Sequence, residues 1–542
     1  MFIFSIVPFH LKSLRWENAF KQRIYFFCKR SQYKHIILTH LTYTSYLHII
    51  LTHLTNALPS IMASLAKTSE KFSEGVDFHY SINQTPPEVE RAKGNYLFTK
   101  EGNKIFDGCS GAAVSCIGHG NKRVIKAIHK QLKTGATYLP SAIWSSKVVK
   151  NLRKELIRGT DEKLVGVYLA SSGSEATETT MKLARQYFWE QGQKTRVNFI
   201  ARERSYHGNT LAALGLSEFK VRQEPYIPLL PEYVHRISSC YQYRQQRDGE
   251  LDQEFVDRKV QELKDKFQEL GPDTVIAFVA EPVVGAALGC VPPPRGYLKA
   301  MKEVCDQNGA LFILDEVMCG MGRTGILHAW QAEDALPDLQ MIGKGLGAGY
   351  EPLSGILISK KVADVLIEKG KDFIHGLTFQ AMPVQAAAAL EVQRIIREEN
   401  LLNNVSKRGM ELEQLLKAAL GNHPHVGDIR GRGLFWGIEF VKDKQTKEPF
   451  ESQENHAYAI QKLALSDYNF LVYASMGCSD GINGDVIIIA PPLNVSEKDV
   501  KYIAKTVEAV VNQHFAESGE KKKSKKEKKM KKFLRSAFSL SF

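Results

Sequence analysis

The stretch Ala310-Leu-Phe-Ile-Leu-Asp-Glu-Val317 is an apolar run that ends in two acids. A short apolar run of this kind is typical of a strand that is buried on both faces, with Asp315 at its carboxyl end. A glycine-rich loop follows, Gly343-Lys-Gly-Leu-Gly-Ala-Gly349, and its single lysine is 29 residues after Asp315. A strand-end acid or a loop lysine is ordinary alone, but the two together indicate a functional site.

Lys344 and Asp315 are the pair that pyridoxal phosphate (PLP) chemistry requires. The lysine would hold the aldehyde of PLP as a Schiff base. The carboxylate would keep the pyridine nitrogen protonated, so that the ring accepts electrons from the substrate. We therefore predict that both residues are catalytic and that both contact the cofactor.

A PLP site must also bind a phosphate dianion. Ala170-Ser-Ser-Gly-Ser-Glu-Ala176 lies where a predicted strand gives way to a helix. The amides of Gly173 and Ser174 would face the phosphate at the helix N-terminus. An ordinary capping box, formed by Ser172 and Glu175, explains the same pattern equally well.

The cofactor ring needs neighbours on both faces. Ser205-Tyr-His-Gly208 follows a predicted strand and offers Tyr206 for stacking, while Val317 would pack on the opposite face. Both side chains could instead be plain core. Glu281 ends another apolar strand, and ligands of α/β sheets bind at the carboxyl ends of strands, so we expect Glu281 in the same crevice.

Strands and helices alternate along much of the chain, which predicts an α/β fold with a mainly parallel sheet. After about residue 385 the pattern changes, and we predict a smaller α+β domain. The predicted strands are Val165–Ala170, Val197–Ala201, Thr274–Ala280, Leu311–Leu314, Gly433–Phe440 and Val486–Ala490. The predicted helices cover residues 175–190, 298–308, 385–419 and 496–515.

These patterns divide the chain into five parts. The parts are an N-terminal extension (1–61), a segment that joins the small domain (62–125), the large PLP-binding domain (126–384), the small domain (385–515) and a Lys-rich disordered tail (516–542). We favour an extension without a folded role over a mitochondrial presequence for residues 1–61, because Met62 makes a sensible start.

The net charge of +13 comes from the two ends of the chain. Residues 1–61 carry +6 and residues 516–542 carry +7, which leaves residues 62–515 neutral. The core is therefore not expected to bind nucleic acid, although the tail could contact an anionic partner. The eight cysteines form no CxxC pair, which favours a reducing compartment, and we predict a cytoplasmic location.

Seven segments together resemble the class III (ω) aminotransferases, which belong to fold type I of the PLP-dependent enzymes. The segments are Ser171–Ala176, Ser205–Gly208, Ala280–Gly285, Leu314–Gly325, Gly343–Gly347, Gly376–Gln380 and Arg430–Gly433. Their order and spacing match over residues 75–513. The resemblance implies a large domain with a mainly parallel sheet, a smaller α+β domain and an active homodimer or a tetramer of two dimers.

The resemblance also implies roles for site residues. Lys344 would carry PLP, Asp315 would pair with the pyridine nitrogen, Tyr206 would stack on the ring, and Gly173 and Ser174 would bind the phosphate.

Three further roles follow from the resemblance. Thr378 would reach the phosphate of the neighbouring subunit. Arg430 would grip the α-carboxylate of the keto acid, and Glu281 would pair with Arg430 when no carboxylate is bound.

Two departures from the family pattern concern the pocket. Met318 stands where many members have a glutamine, and Ala112 and Ala113 stand where larger residues are common. The sequence thus predicts a roomier pocket and does not say what fills it.

The implied activity is a transaminase of the EC 2.6.1 type. It would move an amino group from an amine or ω-amino acid to pyruvate or 2-oxoglutarate in a ping-pong reaction. The same residues would also serve a decarboxylase, an aminomutase or a phospho-lyase on this fold. A catalytically silent scaffold is the remaining alternative.

Overall fold

The computed structural model describes residues 86–538, with side chains described up to residue 517. The described residues from Pro87 onward form one compact unit. The predictions for residues 1–61 lie outside the described residues. Over residues 86–538, the search for a helix long and apolar enough to cross a membrane finds none.

A seven-stranded sheet forms the centre of the fold. Its strands, in spatial order, are Leu164–Ala170, Ser354–Ser359, Leu339–Ile342, Leu311–Asp315, Val275–Ala280, Asn198–Arg202 and Val234–Ile237. Ser354–Ser359 runs antiparallel to both its neighbours, and the other pairs are parallel. The prediction of a mainly parallel sheet is confirmed, and the four predicted strands of this region agree within one residue at each end.

The central strands are apolar throughout because both faces of the sheet are covered. Phe278 and Phe312 pack in one buried cluster with Phe255 of the helix Asp252–Leu270. The next residues along those strands pack on the opposite face, against the helix Gly173–Glu190. Successive side chains of a strand point to opposite faces, so an uninterrupted apolar run supplies both layers of core.

Helices flank the sheets. The longer ones are Lys122–Leu132, Lys147–Gly159, Gly173–Glu190, Asp252–Leu270, Tyr297–Gln307, Lys360–Glu368, Pro383–Glu398, Leu401–Leu420, His456–Tyr468 and Glu497–Phe538. Shorter helices and turns of 3₁₀ helix are Ser110–Ala113, Leu211–Leu216, Lys220–Gln223, Glu224–Leu229, Gln242–Gln245, Pro272–Thr274, Ala329–Ala332 and Lys344–Leu346.

The single helix predicted over residues 385–419 is wrong. The structure has two helices there, Pro383–Glu398 and Leu401–Leu420. Asn400 lies between them with φ +50° and ψ +41°, which is the left-handed conformation. Asparagine adopts this conformation more readily than most residues, so it ends one helix and starts the next without interrupting the apolar periodicity.

Two smaller sheets contain the remaining strands. An antiparallel sheet has the spatial order Val426–Gly431, Trp436–Asp443, Asp485–Ile489 and Tyr473–Met476, with Glu448–Pro449 beside the second strand. The other sheet contains Val89–Lys93, Tyr96–Thr99, Lys104–Asp107 and Phe470–Leu471. In it, Phe470–Leu471 pairs with the early strand Lys104–Asp107. The division of the chain into five parts stays a prediction.

The final helix continues beyond its predicted end at residue 515. Its backbone is helical from Glu497 to Phe538, whereas the sequence predicts a disordered tail from residue 516. Lysine, glutamate and methionine are good helix formers, and extending an existing helix avoids the unfavourable nucleation step. An anionic partner for the Lys-rich segment stays a prediction.

Candidate active site

Lys344 enters a cavity of about 200 Å³ at the carboxyl edge of the central sheet. It follows the strand Leu339–Ile342 and has φ +39°, a conformation that costs a non-glycine residue about 1–3 kcal/mol. The cavity is lined by Gly173, Ser174, Tyr206, His207, Gly208, Glu281, Ala286, Asp315, Val317, Met318 and Lys344. Seven of the nine predicted site residues therefore lie together, and Thr378 and Arg430 do not.

Burial lowers the pKa of Lys344. The negative charges of Asp315 and Glu281 act in the opposite direction, but burial has the larger effect. Because desolvation disfavours the ammonium form, the neutral amine is more accessible here than on the surface. A neutral lysine amine is the form that attacks an aldehyde and accepts a proton.

Asp315 is held in place by two hydrogen bonds. Its Oδ1 accepts from the backbone N–H of Val317 at 3.0 Å, and its Oδ2 lies 2.8 Å from Nδ1 of His207. An ionised carboxylate only accepts, so the proton of this contact belongs to Nδ1. Nε2 of His207 is buried and has no hydrogen-bond partner among the described residues. His207 is therefore a positioning residue for Asp315. The sequence analysis quoted it within a motif and assigned it no role.

The N-terminus of the helix Gly173–Glu190 faces the cavity and is also capped by its own side chains. Ser172 Oγ accepts from the N–H of Glu175 at 3.2 Å, and the Glu175 carboxylate accepts from the N–H of Ser172 at 3.1 Å. The capping-box interpretation of this segment is confirmed, and phosphate binding stays a prediction. The capping box satisfies some amides, and Gly173 and Ser174 line the cavity.

Glycines allow the backbone segments around the helix N-terminus at Gly173 to approach each other closely. A Cβ on Gly208 would lie 2.8 Å from Ser174 Oγ, and the backbone there has φ +138°. Gly173 and Gly343 both face Val317, whose Cγ1 would lie 3.1 Å from a Cβ on either. Val317 therefore fills the space between two glycines at the cavity wall.

Glu281 does not pair with Arg430, which corrects the sequence prediction. Its Oε1 accepts from the N–H of Tyr206 at 3.1 Å, and its Oε2 accepts from the N–H of Gly285 at 2.9 Å. Burial raises the pKa of this carboxyl. Both oxygens thus hold the backbone of the cavity wall, including the backbone N–H of Tyr206.

Arg430 is saturated by other partners. Its guanidinium lies 2.7 Å from the Glu439 carboxylate and 3.1 Å from Asp428, and it also donates to the carbonyls of Leu288 and Gly289. Asp428 precedes Arg430 by two residues on the same strand and is opposite Glu439 of the neighbouring strand, so both acids lie beside the guanidinium. The predicted role of Arg430 at the substrate carboxylate finds no geometric support, because the guanidinium does not line the cavity.

Thr378 lies on the surface and outside the cavity. The adjacent Phe379 carbonyl accepts from Ser171 Oγ at 3.3 Å, so the segment runs beside the cofactor loop of its own chain.

Two larger side chains pack against the buried cluster that contains the small residue Ala113. Ala113 belongs to a buried cluster against which Met318 and Tyr473 pack. The sequence analysis noted Met318 as a departure but missed Tyr473, which comes 360 positions after Ala113.

The residues present fit PLP. A lysine of lowered pKa and a histidine-held carboxylate share one cavity with a glycine-lined helix N-terminus, and the sheet places all three at its carboxyl edge. Fold and site together define a PLP-dependent transferase of fold type I.

Comparison with known proteins gives the family. Residues 80–511 match the family model of class III aminotransferases. An aminotransferase of Gibberella zeae is 46% identical, and the alignment covers 81% of this chain and 86% of that protein. The chain belongs to the class III aminotransferase family, whose members are PLP-dependent and transfer amino groups.

Two further relatives illustrate the range of the family. A vanillin aminotransferase of Capsicum frutescens is 32% identical over 78% of this chain and 90% of that protein. The crystal structure of an ω-transaminase of Pseudomonas jessenii in complex with PMP superposes with a TM-score of 0.77. Its sequence identity is 29%, and the match covers 83% of this chain and 98% of that chain.

Proposed function

We propose that this aminotransferase binds PLP through Lys344 and moves an amino group from an amine or ω-amino acid to a 2-oxo acid, pyruvate or 2-oxoglutarate. The observation that carries the proposal is the shared cavity of Lys344, Asp315 and the helix N-terminus at Gly173. Each of these groups would serve a different part of PLP. A purely structural core would not bury an acid and a lysine beside an open cavity.

When bound, PLP supplies an electrophilic aldehyde and an electron sink. Lys344 would hold the cofactor through Nζ. When Nζ is not attached to the cofactor, its lowered pKa would let it act as a base that takes a proton from the substrate and returns it.

Asp315 would stabilise positive charge on the ring nitrogen, and His207 would keep the carboxylate oriented. Gly173 and Ser174 would donate backbone N–H groups to the phosphate, and Tyr206 and Val317 would contact the two faces of the ring.

The visible absorbance of the purified protein tests this proposal. We expect a yellow band that bleaches when an amine is added and returns when pyruvate or 2-oxoglutarate follows. Release of CO2 or phosphate without any need for a 2-oxo acid would instead favour the decarboxylase or lyase alternatives. A protein that stays colourless after PLP is added would contradict the proposal.

We also propose a homodimer in which Thr378 of each subunit completes the phosphate site of the other. Exposed apolar side chains lie around this segment, with Ile374 75% and Phe379 58% exposed. Ile143 and Trp144 are also exposed, at 73% and 62%. They lie close in sequence to Ser141, whose hydroxyl accepts a hydrogen bond from the side-chain amide of Gln380, two residues after Thr378. A surface of this kind is typical of an interface between subunits.

Sedimentation of the protein in solution tests the dimer. We expect a dimer or a tetramer, and we expect Thr378→Ala to weaken PLP binding about tenfold without dissociating the subunits, because one hydrogen bond to a charged group is lost. Trp144→Asp should dissociate them. A monomer that retains full activity would contradict this assembly.

We further propose a cytoplasmic location. The seven cysteines of the described residues are buried and free, which suits a reducing compartment. Imaging of the tagged chain, started at Met1 and at Met62, tests this, and a mitochondrial signal from the longer form would contradict it.

A further inference from the structure

The final helix, Glu497–Phe538, carries two apolar stripes that are separated by a polar stretch. The first stripe belongs to the core, and its buried residues are Val500, Ile503, Ala504, Val507, Val510 and Val511. Phe515 packs against the same cluster, and residues 516–529 contain no large apolar residue. The second stripe begins at Met530, about 22 Å further along the helix axis than Phe515. The match to the family model ends at residue 511, so the second stripe is a feature of this chain outside the matched part.

Residues 528–538 divide completely between two sides of this helix. With about 100° of rotation per residue, the five apolar residues fall within an arc of about 140°. These residues, the second stripe, are Met530, Phe533, Leu534, Ala537 and Phe538. The opposite side carries Lys528, Lys529, Lys531, Lys532, Arg535 and Ser536. Five cations are therefore placed opposite five apolar residues, and no acid lies in this stretch of sequence.

The residues before the second stripe add positive charge all around the helix. Residues 520–527 contain five lysines against two glutamates. Because successive residues of a helix are about 100° apart, the three consecutive lysines 521–523 already lie on three different sides. Residues 516–542 carry a net charge of +7, whereas residues 62–515 are neutral. The excess charge at this end of the chain thus surrounds and opposes the second stripe.

This arrangement fits the surface of an anionic lipid membrane. An amphipathic helix with lysines on one side and phenylalanine and leucine on the other lies in the plane of such a surface. Lysines on every side of the helix are attracted by the negative potential of an extended lipid surface. A nucleic acid would neutralise the lysines but would leave the apolar side without a partner. The groove of an acidic protein would bind the apolar side but not the lysines around residues 520–527.

We propose that residues 520–538 are a membrane-docking helix that binds the enzyme to anionic lipid surfaces. The second stripe enters the boundary between headgroups and acyl chains, and the lysines contact the headgroups. The helix lies on the membrane and does not cross it, in agreement with the search of residues 86–538 for a spanning helix, which finds none. This inference does not rest on the proposed function, because the Lys344 cavity uses other residues.

Sedimentation of the full chain with sucrose-loaded vesicles tests the proposal. One kind of vesicle is pure phosphatidylcholine, and the other is an equal mixture of phosphatidylcholine and phosphatidylserine. We expect the protein to bind the mixed vesicles much more tightly than the neutral ones. Added salt should weaken this binding, because the charges then act only over about 3 Å at 1 M.

Truncation after Glu517 removes the membrane-docking helix. The affinity for mixed vesicles should fall at least about 100-fold, because the attraction of the lysines and the burial of the second stripe are lost together. Transamination in solution should stay unchanged, since the Lys344 cavity is intact. The truncated protein retains the basic residues 1–61, so binding that survives truncation would overturn the role of the helix.

An exchange of two neighbouring residues separates the effect of the second stripe from that of charge alone. The double variant Lys532→Phe/Phe533→Lys keeps the composition and the net charge, but it places a lysine on the apolar side and a phenylalanine on the cationic side. Its affinity for mixed vesicles should fall about tenfold, because one large apolar side chain is no longer buried. The matched control, Arg535→Ser/Ser536→Arg, exchanges two neighbours that share the cationic side and should bind as tightly as the wild-type chain.

The remaining outcomes decide against the proposal. Equal affinities of the two exchange variants would show that only net charge matters and would overturn the amphipathic helix. Equal binding of the wild-type chain to both kinds of vesicle, or binding to neither, would overturn the preference for anionic lipid. The proposed transamination stands apart from all these results, because the visible absorbance of bound PLP reports it separately.

Discussion

Lys344 and Arg430 are both buried cations with carboxylates nearby, yet their surroundings differ. Burial dominates at Lys344 and lowers its pKa. Burial also disfavours the charge of Arg430, but Tyr241, Glu439 and Asp428 outweigh it and raise the pKa of that guanidinium. One cation is poised to lose its proton, and the other is locked in the charged form.

The difference lies in how far hydrogen bonds saturate each group. Arg430 has an acceptor for each of its three nitrogens, and Glu439 is shared with Arg244 at 2.5 Å. Such a network stabilises a single arrangement and leaves nothing to bind a ligand. Asp315 in the Lys344 cavity is instead held by two donors and still faces open space. Incomplete saturation therefore identifies the site of chemistry better than burial or charge does.

The largest effect is expected at Lys344. Lys344→Ala should lower turnover by at least about 10⁴-fold, because the covalent attachment and the general base are both removed. The measurement is steady-state transamination, with circular dichroism to confirm that the fold is intact. Lys360→Ala, at an exposed lysine after the next strand, should retain full activity. Substantial remaining turnover in Lys344→Ala would contradict the assignment.

At the Arg430 network we expect a loss of stability instead. Glu439→Ala leaves Arg430 and Arg244 buried without their shared carboxylate, and it should reduce the free energy of unfolding by about 3–5 kcal/mol. Urea denaturation measures this change. If Glu439→Ala keeps its stability but loses affinity for the keto acid, the result would contradict a purely structural role for Arg430 and support its predicted role at the substrate carboxylate.

The free energy of unfolding should depend on pH through Glu316, the buried carboxylate that follows Asp315. This carboxylate accepts from the N–H groups of Ala329 and Trp330 at 2.6 and 2.9 Å, and burial raises its pKa from 4.5 to about 7. A raised carboxyl pKa means that the folded state binds the proton more tightly. The free energy of unfolding should therefore fall by about 3 kcal/mol as the pH rises from about 4.5 to 7.

Glu316→Gln should remove this fall, since the amide does not titrate. Denaturation of both proteins across this pH range measures the difference, and an identical slope in the variant would show that other groups are responsible.

The smallest effect is expected at His207. His207→Ala removes the hydrogen bond that orients Asp315, so the affinity for PLP should fall about tenfold while Lys344 still reacts. Absorbance titration of the PLP-free protein with PLP gives this affinity. An unchanged affinity for PLP would contradict a positioning role for His207.

Local patterns predicted much of this protein. The strand Leu311–Asp315, the loop at Lys344 and the helix that starts at Gly173 were all identified from short stretches. An apolar run, a glycine-rich loop and a capping box each depend on neighbours in sequence, so they can be interpreted without the fold. The break at Asn400 was missed because a left-handed residue leaves the apolar periodicity of the flanking helices intact.

Partners distant in sequence could not be predicted in the same way. The sequence by itself determined the central sheet and predicted that Lys344 and Asp315 share one site. Only the tertiary structure decided the partner of Arg430, because Arg430 could pair with Glu281 or Glu439, and only the sheet register brings Glu439 to it. The same holds for Arg222 and Tyr473, which are 251 positions apart in the sequence and are joined by a contact of 3.5 Å between Nη2 and the hydroxyl. A hydrogen bond depends on distances of a few ångströms, and packing alone sets these between remote segments.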